Sequence, residues 1–149
     1  MEFFITGSLY FKCIAPISML ITRKIEFSSS HFCRNPKWSD AENEAVYGAA
    51  ANPHGHGHNY VAEITLKGDP DPVTGMVMDL KVIKDVLNRE VVEPFDHRHL
   101  NFEVAPFDRL VPTPENIAME IWRRLQPVLP GLHAIRLYET PELFVDYSG

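Results

Sequence analysis

Residues 54–58 read His-Gly-His-Gly-His and run directly into the alternating stretch Asn59-Tyr60-Val61-Ala62-Glu63-Ile64-Thr65-Leu66. On an extended chain, residues two apart point the same way, with Cα atoms about 6–7 Å apart, so the imidazoles of His56 and His58 can converge on one ion. His58 is in phase with Tyr60, Ala62, Ile64 and Leu66 and so belongs to the apolar face of its strand. A third imidazole comes from a separate stretch, where Ile21, Ile25, Phe27, Ser29 and His31 share one parity. Three neutral imidazoles with an open fourth position form the donor set of a catalytic zinc, with Zn–N bonds of about 2.0–2.1 Å. His54 has the same parity but precedes the strand, and is read as a polar loop residue.

Two further groups could do chemistry. Glu139 is in phase with Ile135 and Leu137, which puts a carboxylate at the end of an apolar strand face. Leaving it buried without a partner costs several kcal/mol, so it implies an internal salt bridge, as to Arg23 or Arg136, or a ligand that donates hydrogen bonds. A bidentate acceptor suits a guanidine-like edge. Asp96 and His97 adjoin in the loop Phe95-Asp96-His97-Arg98-His99, and such a pair can poise an imidazole as a general acid or base.

The elements that must position these groups follow from periodicity. Met19 opens a half-buried strand that ends at His31, and Ser39 with Glu42 three residues later has the spacing of a capping box, with Gly48 as the stop. Alternation over 58–66, a turn-forming Asp-Pro-Asp-Pro-Val-Thr-Gly segment and the apolar run after it predict a β-hairpin over 58–79. Asp79 can cap a helix carrying Leu80, Ile83, Val86, Leu87 and Val91, and a second amphipathic helix carries Ile117, Ile121, Leu125 and Val128. Strands over 132–140 and 143–148 close an order of ββααββ, an α+β fold with a four-stranded antiparallel sheet and two helices on one face.

A chain of 149 residues with 45% apolar content forms one domain, assigned to 19–149, with residues 1–18 read as an N-terminal extension. That extension is apolar but has Glu2, no basic start and Lys12 in its middle, which fits neither a secretory signal nor a membrane anchor. The net charge of −6, without a lysine or arginine run, excludes nucleic acid and anionic membranes as partners and leaves a small molecule or protein. Only Cys13 and Cys33 occur, too few for a disulfide framework and without CxxC spacing, so a reducing compartment is expected.

Taken together, the segments around His31, Trp38-Ser39-Asp40, Asn52 to Leu80, Asp96-His97, Pro112-Thr113-Pro114-Glu115-Asn116 and Tyr138-Glu139-Thr140 resemble the 6-pyruvoyl-tetrahydropterin and 6-carboxy-tetrahydropterin synthase family, in order and spacing, over residues 19 to about 148. The resemblance implies the tunnelling fold, whose subunits join edge to edge into a trimeric barrel and stack as a homohexamer, with active sites at subunit interfaces. It implies Zn2+ on His31, His56 and His58. It implies pterin anchoring by Glu139 with Glu115 and Thr113 in support, and proton relay by Asp96 and His97. The implied reaction is a cytoplasmic carbon–oxygen lyase step on 7,8-dihydroneopterin triphosphate, with loss of triphosphate, in tetrahydrobiopterin or queuosine biosynthesis.

One position departs from the family pattern. The family's catalytic cysteine lies six residues before the HxH pair, and here that residue is Ala50. Cys33 could supply the thiol from another direction, or Glu42 or Glu44 could act as the base. The remaining alternatives are an aldolase-like side-chain cleavage and a pterin-binding oligomer without catalysis.

Overall fold

A computed structural model describes residues 18–149, so the expected extension over 1–18, with Cys13, lies almost wholly outside the described residues. The first two strands form the spine of the sheet. β1 (Met19–His31) and β2 (His56–Gly68) pair antiparallel over thirteen rungs, from Met19 opposite Gly68 to His31 opposite His56. Between them, α1 (Asp40–Tyr47) starts on the expected capping box: the Ser39 hydroxyl accepts the Glu42 N–H, and the Glu42 carboxylate accepts the Ser39 N–H.

The expected hairpin over 58–79 does not form. β2 ends at Gly68, and residues 69–79 close on themselves, with Asp71 Oδ1 accepting the N–H groups of Val73 and Thr74 and the Asp71 N–H bonding Met76 O. Both edges of β2 are already occupied, by β1 on one side and by β4 (Leu132–Tyr138) on the other, so residues 76–78 have no edge left to pair with. They lead instead into α2 (Leu80–Leu87), whose Asp79 cap accepts the Lys81 N–H. α2 continues through a π-helical turn, Asn88–Val92, and a last turn, Glu93–Phe95.

The α+β class holds, with one addition to the expected four-stranded sheet. The two-residue strand β3 (Arg98–His99) pairs parallel to β1 at Ser29 and Ser30, giving the order β3-β1-β2-β4-β5, where β5 is Phe144–Tyr147. Two residues carry no period, which is why the sequence does not announce it. A short helix, α3 (Leu100–Glu103), and the long α4 (Pro114–Leu125) complete the chain.

One parity of each long strand points at the helices. Ile25, Phe27, Tyr60, Ala62, Ile64, Ile135 and Leu137 join Ile83 and Leu87 of α2 and Ile117, Ile121 and Leu125 of α4 in a single buried core. The opposite sheet face is polar, with Lys24 to Glu63 at 2.9 Å, Thr22 to Thr65 at 2.8 Å and Ser28 to Asn59 at 2.7 Å. The core face is therefore apolar along most of its length and turns polar only where the β1–β2 ladder ends at its histidines.

Candidate metal centre

His31 is the last core-facing residue of β1 and is 1% exposed. The ladder sets His56 opposite it and His58 opposite Ser29, so two strands deliver three rings to one corner. Ring centroids lie 4.6 Å apart for His31 and His56, 5.2 Å for His31 and His58 and 5.0 Å for His56 and His58. One ligand-capable nitrogen from each lies within 4.8 Å of the others, close enough to hold one metal ion. His54 is exposed and outside this group.

The local backbone explains why glycine interrupts the histidines. Gly55 has φ +74°, and a Cβ there would lie 3.0 Å from His31 O and 3.1 Å from His99 Nε2. On the far side of His31, the Asn101 carboxamide takes the Phe32 N–H at 2.9 Å and donates to Phe32 O at 3.1 Å, fixing the chain where it leaves β1.

Electrostatics favour neutral, ligand-ready rings. The His31 Nδ1–H donates to Pro112 O at 2.7 Å, which turns the lone pair of Nε2 toward the group. Burial pushes the His31 imidazole down to about 4, with neighbouring His56 and His58 adding to the effect, and burial likewise lowers His56 and His58. Glu139 Oε1 stands 3.6 Å from His31 Nε2 and 3.7 Å from His58 Nε2. Burial raises the Glu139 carboxyl, the Glu115 charge adds to the rise, and His56 opposes it.

The internal salt bridge considered for Glu139 is absent among the described residues, where Arg136 pairs with Asp146 instead, at 2.7 and 2.8 Å. Thr113, from the expected pterin-contact set, serves as the N-cap of α4, and Glu115 sits exposed in the first turn of that helix.

Cys33 lies just past His31, 7% exposed, and its N–H donates to Ala50 O at 2.8 Å. The backbone therefore sets Cys33 beside Ala50. Burial, with Glu139 and Glu115 nearby, pushes the Cys33 thiol up to about 11. Glu42 is held in its capping box and Glu44 is exposed on α1.

Asp96 and His97 form a second site. The His97 Nδ1–H donates to Asp96 Oδ2 at 2.7 Å, Asp96 Oδ1 accepts the Ser28 N–H at 2.8 Å, and the His97 N–H bonds Ser28 O at 2.6 Å. The backbone N–H of Ser28 is the main cause of the lowered Asp96 carboxyl. The His97 side chain is 83% exposed, and no hydrogen bond or ion pair among the described residues joins this dyad to the three histidines, although His58 and His97 border one open cleft.

The sequence did not single out Tyr60 or His99. The Tyr60 hydroxyl, fully buried and with its pKa raised by burial, reaches His31 Nε2 at 3.3 Å. Its parity with His58 was the available signal, but a tyrosine in an apolar row reads as core. The His99 ring packs on Phe102 at 4.4 Å and on Phe32 at 5.5 Å, behind the Gly55 turn.

Residues 20–149 match the family described as 6-pyruvoyl tetrahydropterin synthase. A protein of Pongo abelii named 6-pyruvoyl tetrahydrobiopterin synthase is 43% identical over 131 residues, covering 87% of this chain and 90% of its own length. The solved structure of Caenorhabditis elegans 6-pyruvoyl tetrahydropterin synthase superposes with a TM-score of 0.85 at 36% identity, covering 89% of this chain and 96% of that one. A Rickettsia conorii protein named 6-carboxy-5,6,7,8-tetrahydropterin synthase is 28% identical over 145 residues, covering 84% of this chain and 96% of its own.

Proposed function

The chain belongs to the 6-pyruvoyl tetrahydropterin synthase family and is a lyase of that family, and from that premise we propose that it is a zinc-dependent enzyme eliminating triphosphate from 7,8-dihydroneopterin triphosphate. The observation that carries the reading is the meeting of His31, His56 and His58, from two strands, beside the Glu139 carboxylate. The greater likeness to proteins named for the 6-pyruvoyl product than to the 6-carboxy one favours the 6-pyruvoyl product and tetrahydrobiopterin biosynthesis.

The donor set fits zinc: three imidazoles held neutral by burial, one of them oriented through its second nitrogen by Pro112 O. When bound, zinc supplies Lewis acidity that makes the substrate's side-chain hydroxyls easier to deprotonate. Glu139, 13% exposed in its side chain, accepts hydrogen bonds from the amino-pyrimidinone edge of the pterin, with Glu115 and the Thr113 hydroxyl bordering that edge. Cys33, as its thiolate, takes the place of the missing cysteine as the group that removes a proton from a side-chain carbon; the positive charge of bound zinc would offset the burial that keeps this thiol protonated in the metal-free chain, and the backbone bond of Cys33 to Ala50 and the commitment of Glu42 elsewhere support the reading. His97, oriented by Asp96, carries protons between the substrate and solvent.

The exposure of His97 suits action across a subunit boundary. We extend the proposal to a homohexamer of two stacked trimeric barrels, cytoplasmic, with residues 19–149 as the folding unit. Support comes from β1, which among the described residues pairs with β3 only at Ser29 and Ser30, and from the short outer strand β5; joining such edges removes open backbone groups. No helix among the described residues is long and apolar enough to cross a membrane.

Incubating the purified chain with the triphosphate substrate and identifying products by mass spectrometry tests the reading. Free triphosphate with a 6-pyruvoyl pterin is the expected result. Glycolaldehyde or its phosphate would replace it by an aldolase-type cleavage, and unchanged substrate would leave only pterin binding. Cys33→Ala should abolish turnover while equimolar zinc is retained, and full turnover in that variant would remove Cys33 from the mechanism.

A further inference from the structure

Glu139 carries a second assignment, which rests on the metal-centre reading above. The residue follows β4 at the turn into β5, where its N–H bonds Leu143 O at 3.0 Å, so its backbone is fixed relative to the sheet. Its Oε1 lies 3.6 Å from His31 Nε2 and 3.7 Å from His58 Nε2. Both distances exceed those of a hydrogen bond, so the carboxylate is tied to neither ring.

Among the described residues no side chain or backbone N–H donates to this carboxylate, and no lysine or arginine pairs with it, although its side chain is only 13% exposed. A carboxylate so placed needs a cation or a ligand with donors. A pterin meets that need only while it is bound, and it places no demand on the histidine nitrogens. The near-equal spacing to two Nε2 atoms is compatible with a shared ion, on which His56, with no nitrogen within 4.0 Å of the carboxylate, would have to close as well. Two donors on one tetrahedral zinc, each at about 2.0–2.1 Å, stand roughly 3.3–3.4 Å apart. The observed separations match that edge to within a few tenths of an ångström.

We propose that, in the substrate-free protein, Glu139 Oε1 is a fourth donor to the cation held by His31, His56 and His58, and that it leaves this position to grip the arriving pterin. Capture of the heterocycle and opening of the fourth coordination position then become one event. By linkage, a ligand that takes Glu139 away from the cation also loosens the cation.

The test uses the full chain loaded with Co2+ in place of zinc and without substrate, read by its d–d absorption, together with zinc affinity from competition with a chromophoric chelator. Glu139→Gln, which keeps the shape and loses the charge, should alter the cobalt spectrum and weaken zinc binding at least roughly tenfold. In the wild-type protein, a dihydropterin lacking the 6-side chain should shift the cobalt spectrum in the same direction, since it can engage Glu139 but has no side-chain hydroxyl to offer the metal. That second measurement does not depend on the variant folding.

Identical spectra and zinc affinities for wild type and Glu139→Gln would overturn the fourth-donor assignment. If the variant then also lost pterin binding, anchoring by Glu139 would stand alone. Wild-type protein that takes up no equimolar metal would overturn this inference and the metal-centre reading together.

Discussion

His31 is 1% exposed and its ring donates to one backbone carbonyl, whereas the His97 side chain is 83% exposed and its ring donates to a carboxylate. The contrast extends to their surroundings. His31, His56 and His58 face one another with no anion in hydrogen-bond reach, an arrangement that repels protons and favours a metal. The Asp96–His97 pair is held by two backbone bonds to Ser28 and presents its free ring nitrogen outward, an arrangement suited to moving protons. One residue type therefore meets two environments, one fit to hold a metal and one fit to move protons, and burial together with the nearest carboxylate makes the difference.

Breaking one site should leave the other intact, and the largest effect belongs to the buried group. His58→Ala removes one of the three imidazole donors, so metal content measured by atomic emission should fall from about one per chain to under roughly a tenth, with turnover lost altogether. His97→Asn should cut kcat by about 10²- to 10⁴-fold with metal content unchanged. A His97 variant that lost its metal would show that the two sites are not separate and would collapse the comparison.

The two sites also differed in how far the sequence exposed them. The parity of His31 with Phe27, of His58 with Tyr60 and of Glu139 with Leu137 follows from a period of two that needs no tertiary information. What alternation cannot supply is pairing. The apolar run at 76–78 reads as a strand but finds both edges of β2 occupied, and the bond from Cys33 to Ala50 depends on the course of the loop between β1 and β2. The parallel register of β3, which sets the Asp96–His97 corner against Ser28, is likewise a long-range fact held by two residues. Tyr60 was legible as core and not as a neighbour of His31 Nε2, because hydroxyl contacts leave no periodic trace.

Acid offers a test confined to the buried group. Burial holds His31 at about 4 in the folded, metal-free chain, against about 6.5 when unfolded. Between those values the unfolded chain takes up a proton that the folded one excludes. Stability is therefore complete above about pH 6.5, declines as pH falls toward about 4 and levels off below that. The loss amounts to about 3 kcal/mol. Urea unfolding of the chelator-stripped protein across this window should show it, and a His31→Gln variant should lack that share of the decline. Zinc should protect the wild type from the loss until protons displace the metal.

The smallest effect comes from the turn that lets the two strands meet. At Gly55, with φ +74°, an alanine Cβ would lie 3.0 Å from His31 O, and that carbonyl belongs to a strand end already locked opposite His56. The second obstacle, His99 Nε2 at 3.1 Å, cannot easily swing away because its ring is packed against Phe102 and Phe32. Gly55→Ala should therefore cost about 1–2 kcal/mol in urea unfolding and weaken zinc binding a few-fold by spreading His31 from His56. Gly57 is the internal control, since its added Cβ would lie 3.4 Å from the nearest atom, Ser29 O, with no positive φ to accommodate. Gly57→Ala should stay within about 0.5 kcal/mol of wild type. Equal losses for the two variants would mean that close approach at Gly55 does not set the geometry of the buried histidines.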